Sequence, residues 1–422
     1  MRSSDDRVYL APVDHLRAVA AVLVVLYHGC QLLSASAGGH RFVPATDWLY
    51  SANPAATLVF EGHTGVALFM VLSGFIFTVG AYGRPVRYGR FLTNRLLRIY
   101  PLYLVVALLG LATQVTLPTF QDLLRVLTFA TPAQPYGGVF WTLCVEMQFY
   151  LVFPLLVRLL AERGPGALLR LLGAVFLLRA LVWLSSPVPE PHTAALYLGL
   201  AGRIDQFLLG MLAAWAYVHH RERLRARWLP PVALALALGL LWSFNQVHGF
   251  VSDSPLKLAW SGAEGAVWAL VVAAYVAGRR SAAGGRFSRL LARLGEVSFS
   301  VYLTHFMVLT VIGEYVYGRF PAGLPPVWSA FAVTLLVALP VTVALSFVTY
   351  HAIELPFLRL RRPYLGAPAP VVPPAPGVPP AGGDPAEGLP AGGVPAGGVP
   401  TSGVPAGPET PRPRQREGDR GR

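Results

Sequence analysis

Two ionisable side chains, Arg17 and His28, stand eleven positions apart in the stretch DHLRAVAAVLVVLYHGCQ, residues 14–31. Eleven residues of α-helix make three turns with about 20° left over, so both side chains leave one face, roughly 16 Å apart along the axis. The residues between them are almost wholly apolar. An ionisable group in such a setting is costly and marks function by default. A neutral imidazole there can serve as general base or nucleophile.

Other charges fall within apolar segments: Glu146 in the fourth, Arg203 and Asp205 in the sixth, Glu264 in the eighth, and His305 in the ninth. His28 and Glu146 fall at comparable depth and could share a cavity as an acid–base pair. The alternative for Glu146 is a structural pairing with Arg203 or with backbone. Arg203 and Asp205 are candidate substrate-binding residues, as is Ser73 in VLSGFIFT, although a serine beside Gly74 also suits close helix packing. His305 suits a hydrogen-bonding group inside the bundle. Arg95 and Arg98 in TNRLLRIYP are three apart and face one way on a helix. With Arg17, and with Arg90 nearby, they could clamp a phosphate-rich ligand, because guanidinium forks match phosphate oxygens. Arg84 and Arg87 need no more than membrane anchoring. Cys30 and Cys144 each lie two positions from a candidate, which points their thiols about 200° away on a helix and argues against a thiol nucleophile. Asp14 reads as an N-cap, Glu61 and His63 as the outer end of the second segment, and His219, His220 and His351 as solvated boundary residues. No glycine-rich phosphate loop or metal-ligand motif is present.

The elements that must position these groups are membrane helices. Of 422 residues, 54% are hydrophobic and only 13% charged, and the mean hydropathy is +0.52, whereas soluble domains carry nearly twice that charged fraction. Segments long enough to span fall near residues 14–33, 63–82, 98–117, 139–157, 167–185, 196–218, 229–248, 259–277, 297–317 and 328–350. The expected fold is therefore all-α, a polytopic membrane helix bundle of about ten transmembrane helices. The formal net charge of +13 comes almost entirely from arginine, with Lys257 the lone lysine. Those arginines crowd alternate connections, from Arg84 to Arg98, Arg158 to Arg170, Arg221 to Arg227, Arg279 to Arg293, and Arg359 to Arg362. That pattern speaks for topology rather than nucleic acid, and places both termini on the cytoplasmic side of the membrane. A cleavable leader ending at Ala35, Ser36 and Ala37 is the rival reading of the N-terminus. Asp5 and Asp6 weaken it, and the apolar stretch is long enough to span. The membrane domain is expected over residues 1–362. Residues 363–422 form a Pro/Gly/Ala-rich stretch with GVPAG-like echoes that cannot bury a core, expected as a disordered cytoplasmic tail.

The ordered blocks VDHLRAVAAVLVVLYH (13–28), GVALFMVLSGFIFT (65–78), RFLTNRLLRIYPLY (90–103), FWTLCVEMQFYLVFPLL (140–156) and GEVSFSVYLTHFMVL (295–309) together resemble the integral-membrane acyltransferase 3 family. That family includes bacterial O-acyltransferases of surface polysaccharides and macrolides. RIDQFLLGMLAAW (203–215) fits less closely, and His15 replaces the usual glycine after the aspartate. The resemblance implies that His28 is catalytic, that Glu146 occupies the family's acidic position, and that Arg95 and Arg98, with Arg17, serve acyl-CoA. The expected activity is transfer of an acyl group, acetyl or another short acyl, from acyl-CoA to a hydroxyl of a carbohydrate or glycosylated acceptor. His28 would be general base, with Glu146 orienting it or the acceptor. No tightly bound cofactor or metal is expected, and the partners are acyl-CoA, the acceptor and membrane lipid. The rival from another class is a non-catalytic transporter of an acyl or lipid-linked sugar substrate, against which the lack of an evident inverted repeat counts.

Overall fold

The computed structural model describes residues 9–113, 121, 124, 127–129, 139–185, 198–249, 251–252, 254–278, 285–316 and 324–367. The expected tail beyond residue 367 lies outside these. Ten long helices correspond one to one with the ten expected segments: α1 (Ala11–Ala37), α2 (Thr64–Ala81), α3 (Tyr88–Thr113), α4 (Phe140–Arg163), α5 (Pro165–Ser185), α6 (Leu200–Leu224), α7 (Leu229–Gln246), α8 (Leu256–Gly278), α9 (Ser298–Val316) and α10 (Pro326–Leu358). Among the described residues, nine of them are long and apolar enough to cross a membrane. The remaining one, α6, carries Arg203 and Asp205 in its first turns, both buried against other helices. An additional helix, Arg286–Glu296, precedes α9 with arginines along one side.

The central element is α1. It buries residues all around its circumference, as an apolar helix at the middle of a bundle must, and it packs against α2, α8, α9, α10 and the Arg286–Glu296 helix. Its contact with that short helix is close: a Cβ at Gly295 would stand 1.9 Å from the Asp14 carbonyl oxygen. His15 is itself buried and bonds to Tyr275 Oη at 3.1 Å and to the Ser288 carbonyl at 3.0 Å. The helix begins at Ala11, with Pro12 in its first turn. Asp14 is therefore not the N-cap expected from sequence; it lies one turn inside and pairs with Arg17 at 3.1 Å.

Helices α2 and α6 approach closely through small residues. A Cβ on Gly74 would lie 2.1 Å from the Phe207 carbonyl oxygen, and one on Gly210 would lie 2.1 Å from that of Val71. Such reciprocal contacts are how membrane helices gain packing without a hydrophobic driving force between them. Long α10 departs from α geometry at two π-helical stretches, Thr334–Ala338 and Tyr350–Glu354, a local widening that often accompanies functional sites. The segment following α10 is pinned to the start of α3. Asn94 Nδ2 donates to the Arg362 carbonyl at 2.7 Å, the Arg362 amide donates to Asn94 Oδ1 at 3.1 Å, and the Gly366 amide donates to the Pro85 carbonyl at 2.9 Å. The packed unit thus extends at least to Gly366, past the boundary expected at residue 362.

Candidate functional site: an arginine-lined cavity and a histidine pair

Arg17 of α1 and Arg95 and Arg98 of α3 come together in the fold. They line one cavity of about 810 Å³, a volume in the range of small-molecule sites. Arg289 and Arg293 of the Arg286–Glu296 helix and Arg361 after α10 complete its basic lining, with Asp14 and Glu296 as its carboxylates. Arg90 is not among the lining residues; its guanidinium turns to the Pro363 carbonyl. Arg98 pairs with the fully buried Glu354 at 3.1 Å and stands over the Phe299 ring at 5.4 Å. Glu354 in turn accepts a hydrogen bond from Ser300 Oγ. Its position in the second π-helical stretch of α10 brings the carboxylate to α3. Arg95 is different. It is 9% exposed, lies 4.7 Å from the centre of the Phe77 ring, and has no carboxylate within ion-pair distance among the described residues. A buried guanidinium without a counter-charge costs several kcal/mol, a cost that an anionic ligand would offset.

From Arg17, Arg95 and Arg98 a narrower cavity of about 120 Å³ runs between α2 and α4, past Ser73, Glu146 and Tyr150, towards Val66, Phe69, Thr142 and Tyr302. Glu146 Oε1 accepts from Ser73 Oγ at 3.1 Å and from the Tyr150 hydroxyl, its (i, i+4) neighbour on α4. Here the expectation of a shared His28–Glu146 cavity is corrected: Glu146 belongs to the arginine side, and His28 lines neither cavity. The pairing of Glu146 with Arg203 does not form either.

His28 instead meets His305. Nε2 of His305 lies 3.1 Å from Nδ1 of His28, with the rings 5.1 Å apart. The tautomers follow from the partners. His305 Nδ1 faces two backbone carbonyls, of Tyr302 at 2.7 Å and Val301 at 3.2 Å, so it carries the proton. Nε2 of His305 is then the acceptor and His28 Nδ1–H the donor, which leaves His28 Nε2 with its lone pair available. Tyr302 joins the two regions: its side chain ends the narrow cavity, and its carbonyl orients His305. Phe306 meets the His28 ring edge-on at 5.8 Å.

Glu61 and His63, expected at a solvated helix end, are buried beside this pair. The chain between α1 and α2 folds inward, so that Tyr27 lies 4.7 Å from the His28 ring and 5.5 Å from the His63 ring. Glu61 Oε1 accepts from Trp48 Nε1 at 3.1 Å and from Asn245 Nδ2 at 2.6 Å. Burial raises its carboxyl to about 7, against the opposing pull of those two hydrogen bonds.

Arg203 and Asp205 enter a buried polar network instead of either cavity. Asp205 Oδ2 pairs with Arg179 at 2.6 Å and accepts from Ser261 Oγ at 2.6 Å, while Arg203 lies 3.6 Å from Glu264 and over the Trp141 ring. Gln206 Nε2 donates to the same Glu264 at 3.0 Å. The network fastens α5, α6 and α8 together. Both cysteines are buried, and neither lines a cavity.

The helical bundle thus holds a guanidinium-lined chamber at one end of its central helix and a histidine pair further along it. The acyltransferase-domain family model matches residues 11–351, and the chain belongs to that family, the acyltransferase 3 family. It is 29% identical to the acyltransferase MdmB of Streptomyces mycarofaciens over 359 residues, which covers 75% of this chain and 86% of that protein. It is 27% identical to the exopolysaccharide production protein ExoZ of Rhizobium meliloti, over 71% of this chain and 91% of that one. The O-acetyltransferase OatA of Staphylococcus aureus is 23% identical over 82% of this chain and 57% of its own length. No solved structure matches the chain.

Proposed function

We propose that this protein is an acyl-CoA-dependent O-acyltransferase that moves a short acyl group to a hydroxyl of a carbohydrate or glycosylated acceptor. The observation that carries the reading is the buried Arg95, with no carboxylate partner among the described residues, in a cavity shared with Arg17 and Arg98 and continued by a narrow passage. Positive-inside topology puts that chamber on the cytoplasmic side, where acyl-CoA is available. The donor's phosphates bind to the arginines, and its pantetheine arm follows α1 and α2 past Ser73 and Glu146. Glu146, held by Ser73 and Tyr150, presents its carboxyl group to that arm rather than to His28.

At the far end, Nε2 of His28 accepts the proton of the acceptor hydroxyl as the oxygen attacks the thioester carbonyl. Collapse of the tetrahedral intermediate breaks the carbon–sulfur bond, and the proton passes from His28 to the departing CoA sulfur. His305 keeps His28 in the tautomer that makes this possible. Because Tyr302 ends the passage, its side chain must move for the thioester and His28 to meet. Relatives whose names speak of exopolysaccharide production and O-acetyl transfer support a glycan acceptor and an acetyl group. Free CoA released by the purified protein in the presence of acyl-CoA and acceptor tests the reading. Stoichiometric release with acylated product is expected, whereas movement of substrate across vesicles without CoA release would favour a transporter.

A further inference from the structure

The six arginines of the large cavity come from four places in the chain. Arg17 belongs to α1, Arg95 and Arg98 to α3, Arg289 and Arg293 to the helix before α9, and Arg361 to the segment after α10. Only the first three have a role so far. We propose that Arg289, Arg293 and Arg361 form a second phosphate site at the rim of this cavity, which takes the 3′-phosphate of the donor's adenosine while Arg95 and Arg98 take its diphosphate. The proposal rests on the acyl-CoA reading and deepens it.

Placement supports the assignment. Arg289 and Arg293 are four residues apart, so they leave the same side of their helix. Phe287 faces away from that side and is 75% exposed, as suits a helix lying in the membrane interface with its apolar side towards lipid. Among the described residues, neither Arg289 nor Arg293 has an ion-pair partner. Arg361 reaches the cavity because Asn94, next to Arg95 on α3, grips the Arg362 backbone through both its amide atoms. Anchoring to the membrane requires positive charge near the interface, but not convergence of two separate elements on one chamber.

Charge gives the second argument. Six guanidiniums against Asp14, Glu296 and the Glu354 carboxylate that pairs with Arg98 leave an excess of three positive charges. A diphosphate with a separate phosphomonoester carries roughly four negative charges near neutral pH. A donor with the diphosphate alone would leave one of those positive charges unmatched.

The rival source of the same phosphate chemistry is an anionic lipid headgroup, and the experiment must separate the two. The full chain is reconstituted in phosphatidylcholine vesicles with and without phosphatidylglycerol, and KM and kcat are measured with acyl-CoA and with its 3′-dephospho analogue. Hydrogen bonds to a charged group predict a KM for the analogue ~10- to 100-fold higher in the wild type. In the R289A/R293A variant, and in R361A, KM for acyl-CoA should rise by a similar factor and the difference between donors should vanish. R98A should raise KM for both donors while preserving their ratio. Equal KM values for the two donors in the wild type would overturn the proposal, as would a ratio that survives in R289A/R293A. A defect of the variant confined to phosphatidylglycerol vesicles would assign these arginines to lipid and overturn it too. Failure of the wild type to release CoA from either donor would instead overturn the acyl-CoA reading beneath it.

Discussion

Nε2 of His305 stands 3.1 Å from Nδ1 of His28, two residues 277 positions apart in the chain, and this contact decides which nitrogen of His28 is left to accept a proton. Because His305 Nδ1 is committed to backbone carbonyls of its own helix, His305 acts as acceptor towards His28. On the proposed mechanism it is a positioning residue, whose removal should affect turnover more than donor binding. His305→Ala is expected to lower kcat by ~10²-fold or more, the scale at which acid–base catalysis contributes, with KM for the donor changed less than about twofold. His305→Gln, whose amide oxygen can accept from His28 Nδ1, should recover part of the loss. Steady-state kinetics on the three proteins check this; equal losses in both variants would speak against the tautomer role.

Arg95 sets binding against stability. Its guanidinium is buried among Phe77, Phe91 and Tyr150, and apolar replacement of a buried charge is often neutral or stabilising. Arg95→Met should therefore unfold at an equal or higher temperature than the wild type while its donor KM rises ~10-fold or more. Thermal unfolding in detergent beside donor titration measures both. A large loss of stability in Arg95→Met would mean that the charge is compensated within the protein.

The Arg203–Glu264 and Arg179–Asp205 pairs are expected to act through stability. Glu264→Ala or Asp205→Ala leaves a buried guanidinium without its carboxylate, which costs about 3–5 kcal/mol, read as a fall in the unfolding midpoint. The protein that remains folded should show unchanged KM for donor and acceptor. A selective rise in acceptor KM would return Arg203 and Asp205 to the substrate-binding role that their sequence position suggests.

Glu61 gives a pH dependence with a defined sign. Its carboxyl ionises near 4.5 in the unfolded chain but only near 7 in the fold, chiefly because of burial. Between those values the folded state binds more protons, so the stabilisation is fully present below pH 4.5 and is lost as pH rises to about 7. Glu61→Gln keeps the neutral form at every pH. Its unfolding midpoint should match the wild type near pH 4.5 and exceed it above pH 7, by at most about 3 kcal/mol in stability. Parallel midpoints across that range would show that Glu61 titrates normally in the fold.

The helices were legible because length and hydrophobicity define nine of them among the described residues, and the tenth expected segment is helical as well, with Arg203 and Asp205 buried. Arg17, Arg95 and Arg98 line one chamber; spacing puts Arg95 and Arg98 on one face of α3, and the basic character of that end brings Arg17 to the same level. What sequence could not supply was lateral pairing. Glu146 and His28 lie within apolar helices, yet Glu146 is turned by α4 towards α2, and His28 by α1 towards α9. Arg289, Arg293 and Arg361 looked like interfacial anchors because composition does not separate a lipid-facing arginine from one that lines a cavity. Glu61 and His63 looked solvated because they follow a loop, but that loop folds inward over Tyr27. Ser73, for which close helix packing was one reading, lines the narrow cavity and donates to Glu146, while its neighbour Gly74 packs against α6.

The central claim is that His28 transfers the proton in an acyl transfer supplied from the arginine-lined chamber. Its most direct test is the rate of labelled acyl transfer from acyl-CoA to an acceptor by purified wild type and His28→Ala, matched for expression and unfolding temperature. The account requires the variant to lose at least ~10²-fold in kcat while its donor KM stays near the wild-type value. Full activity in His28→Ala would contradict it.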